Sequence, residues 1–249
     1  MPGQVILKNR VRGERPRVWE DAPLRMRHKQ YAKPELAACP FFVQDPEAQR
    51  GRWQQAFAAP RPLVLELGCG KGSFATVQGT QHPQQNYLAV DYLSDVLVLA
   101  KRKVEEGYAQ AGRTVDNLRL AALNIQWIEA NFSEADVVQR IYINFCNPWP
   151  KLSHHKRRLT HPRQLLQYRQ FLKDDGEIWF KTDDDDLFEE SLAYFEECGF
   201  TLRYFTRDLH AAEPSWNLRT EYEEKFAAQG VPIKALIAVK GPLPAPPQA

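Results

Sequence analysis

Leu63-Val64-Leu65-Glu66-Leu67-Gly68-Cys69-Gly70-Lys71-Gly72-Ser73 is the stretch that decides the fold of this chain. Its aliphatic run reads as a buried strand, its alternate glycines as a turn, and Ser73 as the entry to a helix. Glycines at such spacing let backbone come close to a ligand, and a helix start offers unpaired N–H groups. Working outward, short β-branched or aliphatic runs recur at Tyr87–Val90, Leu118–Leu123, Ile141–Phe145, Glu177–Lys181, Thr201–Thr206 and Ile233–Val239. Between them, Ser94–Gln110, Pro162–Lys173 and Leu187–Cys198 space their apolar residues by three and four, as helices lying on a sheet do. The pattern predicts an α/β protein: a Rossmann-like, mostly parallel seven-stranded sheet flanked by helices.

The 249 residues suit one domain, and 43% hydrophobic with 26% charged residues is an ordinary folded balance. No apolar run approaches the ~20 residues that cross a bilayer, and the basic N-terminus has no apolar core of a secretory signal, so a cytoplasmic protein without membrane contact is expected. Cys39, Cys69, Cys146 and Cys198 stand too far apart for a zinc knuckle or a disulfide framework and read as free thiols. The net charge of +2 conceals segregation. Met1–Lys33 carries nine Lys/Arg against three acids, Lys151–Arg163 five Lys/Arg and three His against none, and Lys173–Glu190 nine acids against two lysines. The expected organisation is a flexible basic extension at 1–23, a main domain at 24–240 with a helix beginning near Leu24–Lys29, and a loose Pro-rich tail at 241–249.

The glycine spacing here is G-x-G-x-G preceded by an acid, unlike the G-x-G-x-x-G of dinucleotide sites. It resembles motif I of S-adenosylmethionine (SAM) methyltransferases, with Gly68 and Gly70 in the turn. An acid at Glu66 suits a cofactor bearing an ammonium and a sulfonium and would repel a pyrophosphate. Asp91, at the end of the second strand, is placed to accept both ribose hydroxyls. Asn124 and Gln126 follow the third strand, at the edge where adenine should lie.

The fourth strand ends in Asn144-Phe145-Cys146-Asn147-Pro148-Trp149-Pro150, a loop that should face the transferable methyl because ligands bind beyond the carboxyl ends of such strands. Asn-Pro-aromatic alone also resembles the N-P-P-Y loop of amino-methyltransferases acting on adenine or glutamine amides. What surrounds it is more specific: Lys151-Leu-Ser-His154-His155-Lys156-Arg157-Arg158-Leu159, then Phe180-Lys181-Thr182-Asp183, Asp208-Leu209-His210, and Thr220-Glu221-Tyr222-Glu223-Glu224-Lys225-Phe226. From Leu24 to about Val239 these segments resemble the bacterial tRNA (guanine-N7)-methyltransferases.

That resemblance implies a class I SAM-dependent enzyme forming 7-methylguanosine in the variable loop of tRNA, a monomer or a homodimer, using no metal. It implies SAM held by Glu66, Gly68, Gly70, Asp91, Asn124, Gln126 and Asn147, and guanosine contacted by Lys151, Asp183, Thr220, Glu221, Tyr222 and Glu223. The family pattern has Asp where this chain has Asn147, and an acid or Asn where Gln126 stands. Guanine N7 has a free in-plane lone pair, so its attack on a sulfonium methyl requires no general base, and Asn147 is expected to orient rather than deprotonate. His154 and His155 are accordingly expected to be surface residues or phosphate donors. Guanine's N1–H and 2-amino group are donors, so carboxylates at Asp183, Glu221 and Glu223 fit its edge, and Tyr222 can stack on an extruded base. Thr220 and Glu223 also have the spacing of a helix capping box, and Asp184–Asp186 reads as an acid-rich helix start. Arg157 and Arg158, with the arm residues Arg10, Arg12, Arg15, Arg17, Arg25 and Arg27, are expected to grip phosphates. A scaffold that binds tRNA without catalysis is the rival reading from a different class.

Overall fold

The computed structural model describes residues 28–212 and 214–244. The expected arm at 1–23, the arginines up to Arg25 and Arg27, the start of the helix near Leu24, and 245–249 of the tail lie outside the described residues. In chain order the elements are α1 (Ala32–Ala37), β1 (Phe42–Val43), β2 (Leu63–Leu67), α2 (Ser73–Gln81), β3 (Asn86–Asp91), α3 (Ser94–Gln110), β4 (Leu118–Ala122), β5 (Val138–Asn144), α4 (Pro162–Phe171), β6 (Leu172–Thr182), α5 (Asp185–Glu197), β7 (Phe200–Thr206), α6 (Leu209–Ala212), α7 (Glu221–Ala227) and β8 (Lys234–Lys240).

One sheet runs β1-β4-β3-β2-β5-β6-β8-β7. It is parallel except for β8, which lies antiparallel between β6 and β7. The sheet has eight strands rather than the expected seven. The extra one, β1, is a two-residue pairing of Phe42 and Val43 with Leu120 and Ala121, too short to leave an alternation in the sequence. The helix expected over Pro162–Lys173 ends at Phe171, where Leu172 turns extended and pairs with Val138.

Strands β2 and β3 are buried on both faces almost throughout, and β5 over Ile141–Ile143, which is why these stretches read as runs of apolar residues. Leu63, Leu65, Leu67, Ile141, Ile143 and Ile178 pack toward α4 and α5, with Trp53 and Phe132 closing that side. Val64, Tyr87, Ala89 and Tyr142 pack toward α1, α2 and α3. The chain moves from β2 through β3 to β4 on one side and from β5 to β6 on the other, so the order reverses between β2 and β5. The crevice beyond their carboxyl ends is where ligands of such sheets bind, and both motif loops emerge there.

Candidate active site at the reversal of strand order

The glycine loop closes over β3. The N–H groups of Gly68 and Cys69 both donate to the Val90 carbonyl at 2.9 Å. The Asp91 carboxylate accepts from Gly70 N at 3.1 Å and Leu93 N at 3.1 Å, which fixes the loop and the entry to α3 together. Gly68, Gly70 and Gly72 have φ of 80°, 54° and 78°, the left-handed region that glycine reaches without strain. Their surroundings differ. A Cβ on Gly72 would meet Ala100 at 2.8 Å, whereas one on Gly68 or Gly70 would point into open space. The first two glycines therefore leave a cradle for a ligand, and the third brings α2 against α3.

Glu66, 2% exposed, lies under this cradle and bonds Tyr87 Oη at 3.1 Å. Burial pushes its carboxyl up to about 7, although the bond from Tyr87 and the Asn144 amide nearby favour the ionised form. Both amide atoms of Asn144 are buried without a well-formed hydrogen bond, so this side chain at the end of β5 has capacity left for a ligand. The sequence motif points to the loop but not to this residue; the signal available was an Asn closing an otherwise apolar strand.

The turn after β4 is capped by Asn124, whose Oδ1 accepts Gln126 N at 3.0 Å. Gln126 in turn donates through Nε2 to the Arg157 carbonyl at 3.0 Å, tying this turn to the basic block.

Two non-glycine residues of the loop after β5, Phe145 and Trp149, hold positive φ of 51° and 46°. Such conformations cost on the order of 1–3 kcal/mol each and persist only where contacts impose them. Here Phe145 N donates to the Lys181 carbonyl at 2.9 Å, and Asn147 Oδ1 accepts Trp149 N at 3.0 Å. Asn147 is exposed, with its Nδ2 left to donate. The Cys146 thiol is pushed up to about 12 by burial and is no nucleophile near neutrality. Arg158, expected to grip phosphate, is turned inward instead and is 1% exposed. Its Nε donates to the Pro148 carbonyl at 2.7 Å and its Nη1 to Glu190 at 2.7 Å, so it pins the loop to α5. His155 bonds the same Glu190 at 3.0 Å. Lys151, Lys156 and Arg157 remain exposed.

The segment Thr220–Phe226 meets this loop. Phe145 stacks on Tyr222 and Phe226 with ring centroids 6.0 and 5.9 Å apart. Thr220 and Glu223 form the capping box of α7, with Glu223 N donating to Thr220 Oγ1 at 3.0 Å. Glu223, expected at the guanine edge, is 0% exposed and faces the interior, where Lys181, Asn217 and His210 surround its carboxylate. Burial alone would raise Glu223, but these three partners, Lys181 foremost, hold it below the usual carboxylate range. Glu221 and Tyr222 point outward. Glu221 accepts from Ser73 Oγ and is ion-paired with Lys103, whose Nζ also donates to Ser73 Oγ at 2.7 Å. This clasp joins α7 to the glycine loop, and neither Ser73 nor Lys103 stands out in the sequence. Asp183 is half-buried, and burial raises its carboxyl. Asp184 caps α5 by accepting Leu187 N at 2.7 Å. The site thus gathers the ends of β2, β3, β4 and β5 under α7.

Among the described residues, no three His, Cys, Asp or Glu side chains are grouped to hold a metal ion, and no helix is long and apolar enough to cross a membrane. A family model described as "Putative methyltransferase" matches residues 60–236. A tRNA (guanine-N(7)-)-methyltransferase of Clostridium beijerinckii is 54% identical over 217 residues, covering 87% of this chain and 99% of the relative. One of Clostridium perfringens is 54% identical over 218 residues, covering 87% of this chain and all of the relative. Among solved structures, the 16S rRNA methyltransferase KamB superimposes with a TM-score of 0.53 at 13% identity, over 79% of this chain and 91% of that one, a likeness of fold alone. The glycine cradle, the Asn-Pro-Trp loop and the α7 clasp lie within residues 60–236 that the family model matches, and the chain belongs to the tRNA (guanine-N(7)-)-methyltransferase family.

Proposed function

We propose that this protein transfers the methyl group of SAM to N7 of a guanosine in the variable loop of tRNA, as a cytoplasmic enzyme. The observation that carries this reading is the contact between two distant segments at the mouth of the glycine cradle. Phe145 of the Asn-Pro-Trp loop stacks on Tyr222 of α7, while Glu221 of α7 is clasped to Ser73 of the cradle. A base entering beside Tyr222 would thus lie between the methyl-donor site and the loop.

The cradle residues fit the donor. Gly68 and Gly70 leave the space, Asp91 stands at the strand end where ribose hydroxyls are accepted, and Asn124 and Gln126 line the adenine side. Glu66 and the Asn144 amide lie where the methionyl end would sit. Bound SAM supplies an electrophilic methyl on a sulfonium. The N7 lone pair forms the new C–N bond as the C–S bond breaks, and no proton has to leave. The chain's task is alignment, which can supply roughly 7–11 kcal/mol when the reacting atoms are held in near-attack geometry. Asn147, with its carbonyl oxygen fixed by Trp149 N, holds the loop in the shape that orients the substrate or the SAM amino group. Glu221 and Asp183 are the carboxylates placed for the N1–H and 2-amino edge, and Lys151 and Arg157 are placed for flanking phosphates.

Incubation with unmodified tRNA transcript and labelled SAM, followed by borohydride reduction and aniline cleavage, tests this reading. Cleavage in the variable loop is expected. Incorporation of label without such cleavage would move the methyl to another atom.

A further inference from the structure

Trp127 is 56% exposed, a large apolar surface left in water. Its backbone is not loose. Its N–H donates to the Asn124 carbonyl at 3.0 Å, Ile128 beside it is fully buried, and Gln126 on its other side is bonded to Arg157 O. Its φ of −125° and ψ of 42° break the helical turn in which it sits. The guanidinium of Arg163, early in α4, lies 5.2 Å from the ring centroid. The same arrangement occurs next to it: Arg157 lies 5.1 Å over the ring of Trp149, in the Asn-Pro-Trp loop. Gln126 joins the two pairs through its bond to the Arg157 carbonyl. Both arginines are exposed, and among the described residues neither guanidinium has a carboxylate partner.

We propose that Trp149 with Arg157 and Trp127 with Arg163 form a stacking track for unpaired nucleotides flanking the target guanosine. The inference rests on the tRNA reading of the site and assigns Trp127 and Arg163 a role outside it. Single-stranded RNA is the occupant that fits. Each nucleotide presents a flat base and a phosphate, and held tryptophans alternating with exposed guanidiniums supply a face for one and a charge for the other. The Lys151–Arg163 segment carries no acid, which favours a polyanion over an ordinary protein surface. A base removed from its stack for modification leaves its neighbours unstacked as well, and a track beginning at Trp149 gives them a substitute face.

The test is the affinity of Trp127→Ala, Trp127→Phe and Arg163→Ala for fluorescently labelled, unmodified tRNA transcript over a series of salt concentrations, with SAM affinity and melting temperature measured alongside. Trp127→Ala is expected to weaken tRNA binding about tenfold, the size of one base–aromatic stack, without changing the dependence on salt. Arg163→Ala should weaken it and lower the slope of log affinity against log salt by about one. Trp127→Phe should recover most of the loss, and SAM affinity should stay at the wild-type value in all three. Wild-type protein that methylates the transcript while Trp127→Ala binds it as tightly overturns the track and leaves the proposed activity standing. A parallel loss of SAM affinity, or no rescue by Phe, also overturns the track. Wild-type protein that neither binds nor methylates the transcript overturns both.

Discussion

Lys181 Nζ lies 2.9 Å from Glu223 Oε2, and both side chains are sealed from water. The pair ties β6 to α7, since Lys181 is the β6 residue beside Asn144 of β5 and Glu223 is the capping-box residue of α7. Burial pulls Lys181 below its ordinary range while Glu223 opposes that pull.

Removing one member of this pair leaves the other charge buried alone. Glu223→Ala is expected to cost about 3–5 kcal/mol, which lowers the melting temperature by roughly 10 °C for a chain of this size. Glu223→Gln keeps the cap and should lose less. Calorimetry of the two variants beside Glu221→Ala, whose ion pair with Lys103 is on the surface, separates a sealed pair from an exposed one. Equal melting temperatures for Glu223→Ala and Glu221→Ala would contradict the assignment.

The Glu66 carboxyl is pushed up to about 7 in the folded protein against 4.5 when free. Between those values the folded state binds more protons than the unfolded one, so stability falls as pH rises from about 5 to 8. Ionised Glu66 then costs about 3 kcal/mol. Glu66→Gln should be the more stable protein at pH 8, with the difference vanishing near pH 4. With the SAM ammonium beside Glu66, as proposed, the carboxylate is favoured, and cofactor binding at pH 6 should release close to one proton. Titration calorimetry in buffers of different ionisation enthalpy reads that proton, and Glu66→Gln should release none.

Gly70 and Gly72 share a left-handed backbone, but only one has room for a side chain. Gly70→Ala is expected to lose most SAM affinity while melting within a few degrees of wild type, the strain of an L-residue there being about 1 kcal/mol. Gly72→Ala drives a methyl into Ala100 and should cost several kcal/mol, of the order of an overpacked core. Binding and melting measurements on both variants check the division.

Asn147 accepts the Trp149 N–H through an oxygen that aspartate also possesses. Asn147→Asp should therefore keep the loop and retain or raise the single-turnover rate, because a carboxylate would also stabilise charge moving onto the purine. Asn147→Ala removes the turn and should lower the rate by roughly tenfold or more, as lost alignment does. A severalfold fall for Asn147→Asp would show that the donor nitrogen matters more than the turn.

Much of the fold and of the site is legible in the amino-acid sequence. The alternate glycines, Asp91 at a strand end and the T-x-x-E cap are local patterns, and local patterns survive in sequence. Arg157 and Arg158 show where that stops. They are neighbours of identical chemistry, yet the turn over Leu152–Arg157 leaves one in solvent and buries the other against Pro148 and Glu190. Charge counts cannot separate them. Glu223 is a similar case: its position in a capping box is readable, but its inward carboxylate depends on Lys181, Asn217 and His210, which come from other segments. The two-residue β1 leaves no trace because it follows from pairing with β4 and from no periodicity of its own.

The build of α7 bears on redirecting the enzyme to a different purine. Thr220, Glu223 and Phe226 root that helix from below, while Glu221 and Tyr222 look outward. A library randomised at Tyr222 alone would alter the face the helix presents while leaving its footing and the Glu221 clasp to Ser73 and Lys103 in place, so new substrate preferences could be selected here without first rescuing a collapsed scaffold.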